Sequence, residues 1–486
     1  MSSIFLSFGP TSGLLTGHCL NSLVECADMP RTWYSESYQG LQPNAVFFAN
    51  SKSVHLYDDY IDESELSNSK IEKLNPSANS PIKVPKFKPT PFVEYIRGGG
   101  QTFLPLDKPR PKLGLSDVEI GWSDIINFNL SRKSFYEIPG TDIEPLVSYC
   151  QGVEVASDSY TFDELTEPIR YTLERCDKVS NYFITIDRNT GYGGIFNQVI
   201  SNYIMEETPK ATKISFSVAE DIKSEEVACN ASLALSSALN YTDLHSVLSL
   251  PEKLPNLIDP SRFKSSNLYE MTALLSIPLT SSILPILTNT VQARDVINTV
   301  APSSILKFAA IDCAFPYYDP MVEFSFKTEE KIYSRFTMVD GVPNDISSSL
   351  IDKDYRPESP YFYKGVTERY PLFVGLTMPH FFKDDVVTNT GDHPTKRPPG
   401  LSEADYQRLV QFKVIKERPP VKCEYIRTLS TVSTYSTCKS LAKPLENTID
   451  YIKRAPYITK KMFSDDAGAA AEVIFNIIDG LKSPDE

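Results

Sequence analysis

Residues 181–209, NYFITIDRNTGYGGIFNQVISNYIMEETP, decide how this chain is read. Tyr182, Phe183, Ile184, Thr185 and Ile186 form a short apolar run rich in β-branched residues, which predicts a buried strand. The polar turn Asp187-Arg188-Asn189-Thr190 follows, and then Gly191, Gly193 and Gly194. Beyond them Ile195, Val199, Ile200, Tyr203 and Ile204 share one face of a helix that Pro209 stops. Strand, glycine turn and helix N-terminus can together hold an anion on backbone N–H groups and the helix dipole. A tight βα turn, with glycine used for positive φ or close packing, has the same local pattern. The stretch by itself leaves both readings open.

The same unit recurs at the start of the chain. Ile4 to Phe8 reads as a strand, Gly9, Pro10, Gly13 and Gly17 as a turn, and residues from about His18 to Ala27 as a helix. Doubly wound α/β folds place their first phosphate loop there. Val46-Phe47-Phe48 and Val54-His55-Leu56-Tyr57 read as a short hairpin, with His55 a sheet residue. Residues 58–115 read as an extended insertion: an acidic run at Asp58–Glu65, then eight prolines between Pro76 and Pro111 with Lys83, Lys86 and Lys88 among them. Gly98-Gly99-Gly100 inside it reads as a flexible joint.

Order resumes at Trp122. Thr161 and Glu164 have capping-box spacing ahead of Leu165, Ile169 and Leu173, which predicts a helix starting near Thr161. After the organising unit, Lys213–Val218 reads as a strand, and Leu233, Leu235, Ala238 and Leu239 as a helical stripe. This β-α alternation through residue 250 implies a parallel sheet with helices on both faces. Beyond Pro251 the pattern changes to an apolar, hydroxyl-rich stretch at 267–300 and proline-dense strands and loops at 302–430. The chain ends on a helix around Val473–Leu481.

The 486 residues suffice for two or three domains. A net charge of −14 argues against a general nucleic-acid or anionic-membrane binder. The eight cysteines form no CxxC pair and the five histidines are scattered, so zinc-site spacings are absent and free thiols are expected. The N-terminus lacks a basic secretory n-region and the arginines of a cleaved presequence. The most apolar stretch, Ile277–Val291, is interrupted by Pro278 and Pro285 and is not expected to span a bilayer.

The sequence resembles the tubulin and FtsZ superfamily, and within it the Misato-type family. The helix ending Ile204-Met205-Glu206-Glu207-Thr208-Pro209 matches that superfamily's Ile-x-Glu-Glu-x-Pro. Counting back, its glycine signature falls on Asn189–Ile195, where Gly191 and Gly193 keep their glycines, Gly194 replaces serine and Tyr192 replaces threonine. Ile4, Gly13 and Gly17 match the tubulin start; Pro10 replaces a glycine, and Thr11 and Ser12 replace glutamine and cysteine. Asn230-Ala231 resembles the Asn-Ala that follows tubulin's sixth strand, where an asparagine contacts base or ribose; bonding to its own backbone is the other reading. Gly121-Trp122-Ser123-Asp124-Ile125, Leu130–Ser134, Arg175-Cys176-Asp177 and the Asp187 loop resemble Misato-type segments, best over residues 120–300.

The resemblance implies a tubulin-like, Rossmann-type nucleotide domain at 1–250, an α+β intermediate domain at 251–440 and C-terminal helices at 441–486. Any GTP or GDP would contact Gly9, Thr11, Ser12, Gly13, Gly191, Tyr192, Gly193, Gly194 and Asn230. It assigns no metal ligand. Tubulin-type hydrolysis needs an acidic residue from a second subunit; the matching stretch near 285–295 offers no acid before Asp295. Pro251 and Pro255 crowd the place of tubulin's central helix. Tyr192 stands where a phosphate would sit, and Asp187 repels a phosphate that Arg188 attracts. These departures point to a pseudo-GTPase without catalytic residues. By resemblance its role is in mitochondrial inheritance: partitioning of mitochondria and their DNA, and mitochondrial distribution and morphology. It would act through cytoskeletal or mitochondrial protein partners, on mitochondria and in the cytoplasm. The alternative is a slowly hydrolysing, self-assembling GTPase that organises the cytoskeleton.

Overall fold

The computed structural model describes residues 2–24, 32–37, 40–50, 121–141 except 127 and 129, 145–219, 224–249, 268–287, 289, 292–301, 307–316, 333–337, 373–377, 431–436, 441–454 and 466–482. The strand expected at Val54–Tyr57, His55, the triple glycine and the lysines at 83–88 lie outside them.

In chain order the elements are β1 (Ser2–Phe8), α1 (Pro10–Val24), β2 (Tyr34–Ser37), β3 (Gly40–Pro43), β4 (Ala45–Ala49), α2 (Trp122–Ile125) and β5 (Phe135–Glu137). Then come α3 (Tyr149–Ser157), α4 (Ser159–Glu174), β6 (Val179–Asp187) and α5 (Tyr192–Val199), which runs on through a π-helical turn at Ile200–Ile204 to Met205–Glu207. β7 (Thr212–Ala219), α6 (Glu225–Tyr241), β8 (Leu244–Ser249), α7 (Leu268–Leu287) and α8 (Ala293–Val300) follow. The last elements are β9 (Ala310–Pro316), β10 (Tyr333–Thr337), β11 (Phe373–Thr377), β12 (Thr431–Ser436), α9 (Ala442–Arg454) and α10 (Asp466–Lys482).

Six strands form one parallel sheet in the order β5-β4-β1-β6-β7-β8. Counted along the chain within this sheet, the order is 3-2-1-4-5-6, the doubly wound, Rossmann-like arrangement whose order reverses between β1 and β6. Both faces are covered, as the apolar runs demand. Ile4, Leu6 and Phe8 of β1 and Tyr182, Ile184 and Ile186 of β6 pack with Leu165 and Ile169 of α4 and with Ile195, Phe196 and Val199 of α5. On the other face Phe5, Phe47, Phe183 and Phe216 meet α1 and α7. The parallel sheet expected from the alternation is therefore present.

Two local expectations change. α1 begins at Pro10, not near His18. Proline is pre-shaped for the first helical position, and Gly13 and Gly17 are accommodated because Trp122 and Ile125 lie directly over them. The helix expected to start near Thr161 begins at Ser159: Asp158 caps it by accepting from the Thr161 N–H at 2.9 Å, and Pro168 sits inside it. The apolar stretch from Ile277, with Pro278 and Pro285, lies as far as Leu287 in the 20-residue helix α7. No helix among the described residues is long and apolar enough to cross a membrane.

A second sheet, antiparallel throughout, has the order β10-β9-β12-β11. Tyr435 of β12 donates its hydroxyl to Ser282 of α7 at 3.0 Å, and α7 residues share one apolar core with α1, β12, α9 and α10. Residues 307–309 return to the parallel sheet. The His245 N–H donates to the Lys307 carbonyl at 2.7 Å and the Ala309 N–H to the His245 carbonyl at 3.0 Å.

Candidate functional site

Ligands of doubly wound sheets lie beyond the carboxyl ends of the strands where the order reverses. Here that crevice is bounded by Gly9 after β1 and Asp187 at the end of β6, whose strands pair as far as Phe8 and Ile186. Gly9 adopts φ +117, a conformation that suits glycine, and a Cβ there would fall inside the Asp187 carboxylate. As the residue before α1, Gly9 has no side chain to cap the helix. Pro10 has no N–H to offer. The next two donors are taken by Asp187: Thr11 N–H to Oδ2 at 2.9 Å and Ser12 N–H to Oδ1 at 2.5 Å. Gly13 N–H returns to the Gly9 carbonyl at 2.9 Å. The first turn of α1 has no backbone N–H left for an external anion.

The hydroxyls around this turn are also engaged. Ser12 Oγ donates to the Gly9 carbonyl at 3.0 Å and lies 3.1 Å from Ser7 Oγ, while Thr16 meets Thr185 at 2.7 Å. Gly13 serves packing: a Cβ there would come within 2.8 Å of Trp122, whose ring stacks on Phe47 with centroids 4.2 Å apart.

The glycines of the second turn do different work. Gly191, Gly193 and Gly194 have no positive φ. Gly191 N–H donates to the Leu146 carbonyl at 3.0 Å, and Gly194 N–H to the Gly191 carbonyl at 2.9 Å. A Cβ on Gly194 would overlap the Tyr149 carbonyl, one on Gly193 would lie 2.6 Å from Ala234 Cβ, and one on Gly152 would overlap the Gly191 carbonyl. These glycines let α3 and α6 press backbone-close against α5. Tyr192 is 4% exposed, and its hydroxyl has no hydrogen-bond partner among the described residues. Burial raises its pKa first, and the charge of Asp187 raises it further.

Asn230 lies in α6, not after a strand. Its Oδ1 accepts the Tyr149 N–H at 2.8 Å, and its Nδ2 donates to the Val147 carbonyl at 2.7 Å and the Asn189 carbonyl at 3.2 Å. The buried amide clamps the start of α3 to the turn after β6. The side chain thus bonds backbone 41 to 83 residues away and not its own turn.

On the face of the sheet toward α6, His245 of β8 lies between Ser215 Oγ (2.7 Å, at Nδ1) and Ser217 Oγ (3.0 Å, at Nε2). Serine and histidine at this separation have the reach for nucleophile activation. All three are sealed in the core, with no exposure. Burial, and then the charge of Arg188, lowers the His245 pKa to about 3, so the ring is neutral at neutral pH. It fastens the sheet and has no access to a substrate. Among the described residues, no three histidine, cysteine or acidic side chains group as metal ligands do.

The structure thus brings Gly9, Thr11 and Ser12 to Asp187, and Gly191, Gly193, Gly194 and Asn230 to the start of α3. Sequence reasoning weighed Asp187 only as a charge that repels phosphate. The available signal was a glycine cap followed by proline, which leaves a helix start in need of a distant acceptor. The fold and crevice define an α/β chain with a Rossmann-like parallel sheet. No protein-family model and no curated protein matches the chain.

Proposed function

We propose that the chain is a tubulin/FtsZ-type protein of the Misato kind that has given up nucleotide chemistry. It acts through cytoskeletal or mitochondrial protein partners in the partitioning and distribution of mitochondria and their DNA. The observation that carries the non-catalytic part is the occupation of the Thr11 and Ser12 N–H groups by Asp187, where a phosphate would have to bind. The bonded amide of Asn230 supports it, since both of its N–H groups and its carbonyl oxygen already hold backbone partners. The mitochondrial part rests on the sequence resemblance over residues 120–300. An intermediate domain at 251–440 and C-terminal helices at 441–486 belong to the same proposal.

The competing reading, a GTP-binding protein that self-assembles, has the position of the crevice in its favour. Calorimetric titration of the purified full chain with GTP and GDP separates the two. No saturation below millimolar nucleotide is expected. Micromolar binding, with turnover that rises with protein concentration, would establish the competing reading instead. For the cellular role, the tagged chain is expected on mitochondria; a wholly nuclear protein contradicts it.

A further inference from the structure

The hairpin β2–β3 carries a group of polar atoms that play no part in the crevice. Its mouth is anchored. Thr32 donates its hydroxyl to the Leu287 carbonyl of α7 at 2.9 Å, the Ser3 N–H donates to the Thr32 carbonyl at 2.6 Å, and the Asn44 N–H to the Trp33 carbonyl at 2.8 Å. The Trp33 ring meets Phe5 edge-on, with centroids 6.4 Å apart. Beyond this anchor Ser35 and Gln42 stand directly opposite in the antiparallel register. Their side chains therefore leave the same face, with Cβ atoms about 5 Å apart. Gln42 is 1% exposed, yet neither the nitrogen nor the oxygen of its amide has a hydrogen-bond partner among the described residues. The Ser35 hydroxyl opposite it and the indole N–H of the fully buried Trp33 also lack one. Trp122 Nε1 and Ser246 Oγ are single unpartnered atoms on other elements; in the hairpin three neighbouring residues contribute four.

Buried polar groups of folded proteins are bonded in the great majority, so a cluster of four that no side chain or backbone group answers points to a small molecule that does. The donors and acceptors restrict what that molecule is. The set holds no cation to attract an anion and no carboxylate or thiolate to hold a metal ion, and its amide and indole N–H groups repel one. The atoms are covered, which leaves a large ligand no access. Water both donates and accepts in so small a space, and it needs two to four polar partners of this kind.

We infer that the Ser35–Gln42 face of the hairpin is an internal hydration site, in which water bridges the Gln42 amide to the Ser35 hydroxyl and the Trp33 indole. Gln42 is the centre of the site because its amide offers a donor and an acceptor together. The site lies by the amino end of β1, where Thr32 meets Ser3, and the crevice lies at the carboxyl end of the same strand. It is therefore independent of any reading of that crevice.

The test joins a crystal structure that resolves solvent to melting curves of the full chain. Ordered water within hydrogen-bond distance of both Gln42 and Ser35 is expected in the wild type. Gln42→Met keeps the length of the side chain and removes its donor and acceptor. With water in the site, the variant loses that density and melts lower than the wild type by about 2–4 °C, the scale of one net hydrogen bond. A dry, unpartnered amide has the opposite sign, since methionine relieves its desolvation and the variant then melts higher. A higher or unchanged melting temperature overturns the inference, as does a wild-type structure with no water at Gln42 or with a protein group bonded to its amide. Should Gln42→Met not fold, Ser35→Ala removes one hydroxyl from the less buried strand of the hairpin and is judged by the same two readouts. None of these outcomes touches the nucleotide titration, so this inference and the non-catalytic reading fail separately.

Discussion

The turn after β1 and the turn after β6 are both glycine-bearing bridges from a central strand to a helix, and they are stabilised in opposite ways. At Gly9–Ser12 the helix start is answered by charge: a carboxylate from the neighbouring strand takes both free donors. At Gly191–Gly194 it is answered by contact. Backbone from α3 lies where side chains would be, and the N–H groups of Gly191 and Gly194 are bonded to nearby carbonyls. Similar glycine spacing therefore does not mark similar chemistry. Whether a glycine turn can cradle an anion depends on what the tertiary structure has already placed against it.

The sharpest way to break the contact-stabilised turn is Gly152→Ala, which drives a methyl group into the Gly191 carbonyl. Overpacking against backbone that cannot yield is expected to cost about 3 kcal/mol or more, or to prevent folding. Gly468→Ala in α10, where a Cβ meets nothing within 4 Å, is the control and should be neutral or slightly stabilising in urea melts. Next in size is Asn230→Ala. It strands a buried N–H and two carbonyls around α3, for an expected loss of about 2–4 kcal/mol. Asn230→Asp, which cannot donate to Val147 and Asn189, should be no better; an Asp variant as stable as wild type would refute the clamp.

The smallest expected effect is a pH dependence from His245, which separates the charged crevice from the neutral core beside it. The folded-state pKa is depressed to about 3 while the unfolded ring titrates at its ordinary value of 6.5. Between these values the unfolded chain binds the extra proton, so stability is intact above pH 6.5 and falls as pH drops below it. The slope is at most about 1.4 kcal/mol per pH unit for one group. Denaturation midpoints from pH 7.5 to 5 should show this loss, and His245→Gln should flatten part of it. An identical slope in that variant would assign the loss to other groups.

The parallel sheet was legible because β6 is an unbroken apolar run, while β7 alternates Ile214, Phe216 and Val218 with Ser215 and Ser217 and is bounded by helical patterns on either side. The helix at Ser159 was legible to within a few residues from its hydroxyl and acidic start. Glycine and proline mislead at the start of α1, which begins earlier than the turn they suggest. At Pro10 the proline occupies the first helical position, where no N–H is needed, and in α7 two prolines sit within a helix held in a shared core. The site was harder to read. Which loop glycines are present is a local fact, but the partner of Thr11 is 176 residues away and that of Asn230 is 81 away. Only the fold brings such pairs together.

The central position of β1 has a consequence for how the chain is made. Its neighbour β6, the acceptor that caps α1, and the helices covering that face are all encoded after about residue 160. At ribosomal speeds of about 5–20 residues per second, some 180 residues take roughly 10–40 s to emerge. Until then β1 lacks its β6 neighbour and the start of α1 lacks the carboxylate that caps it. The carboxylate of Asp187 then closes the amino-terminal unit as a late event of synthesis, making the first strand among the last to be secured.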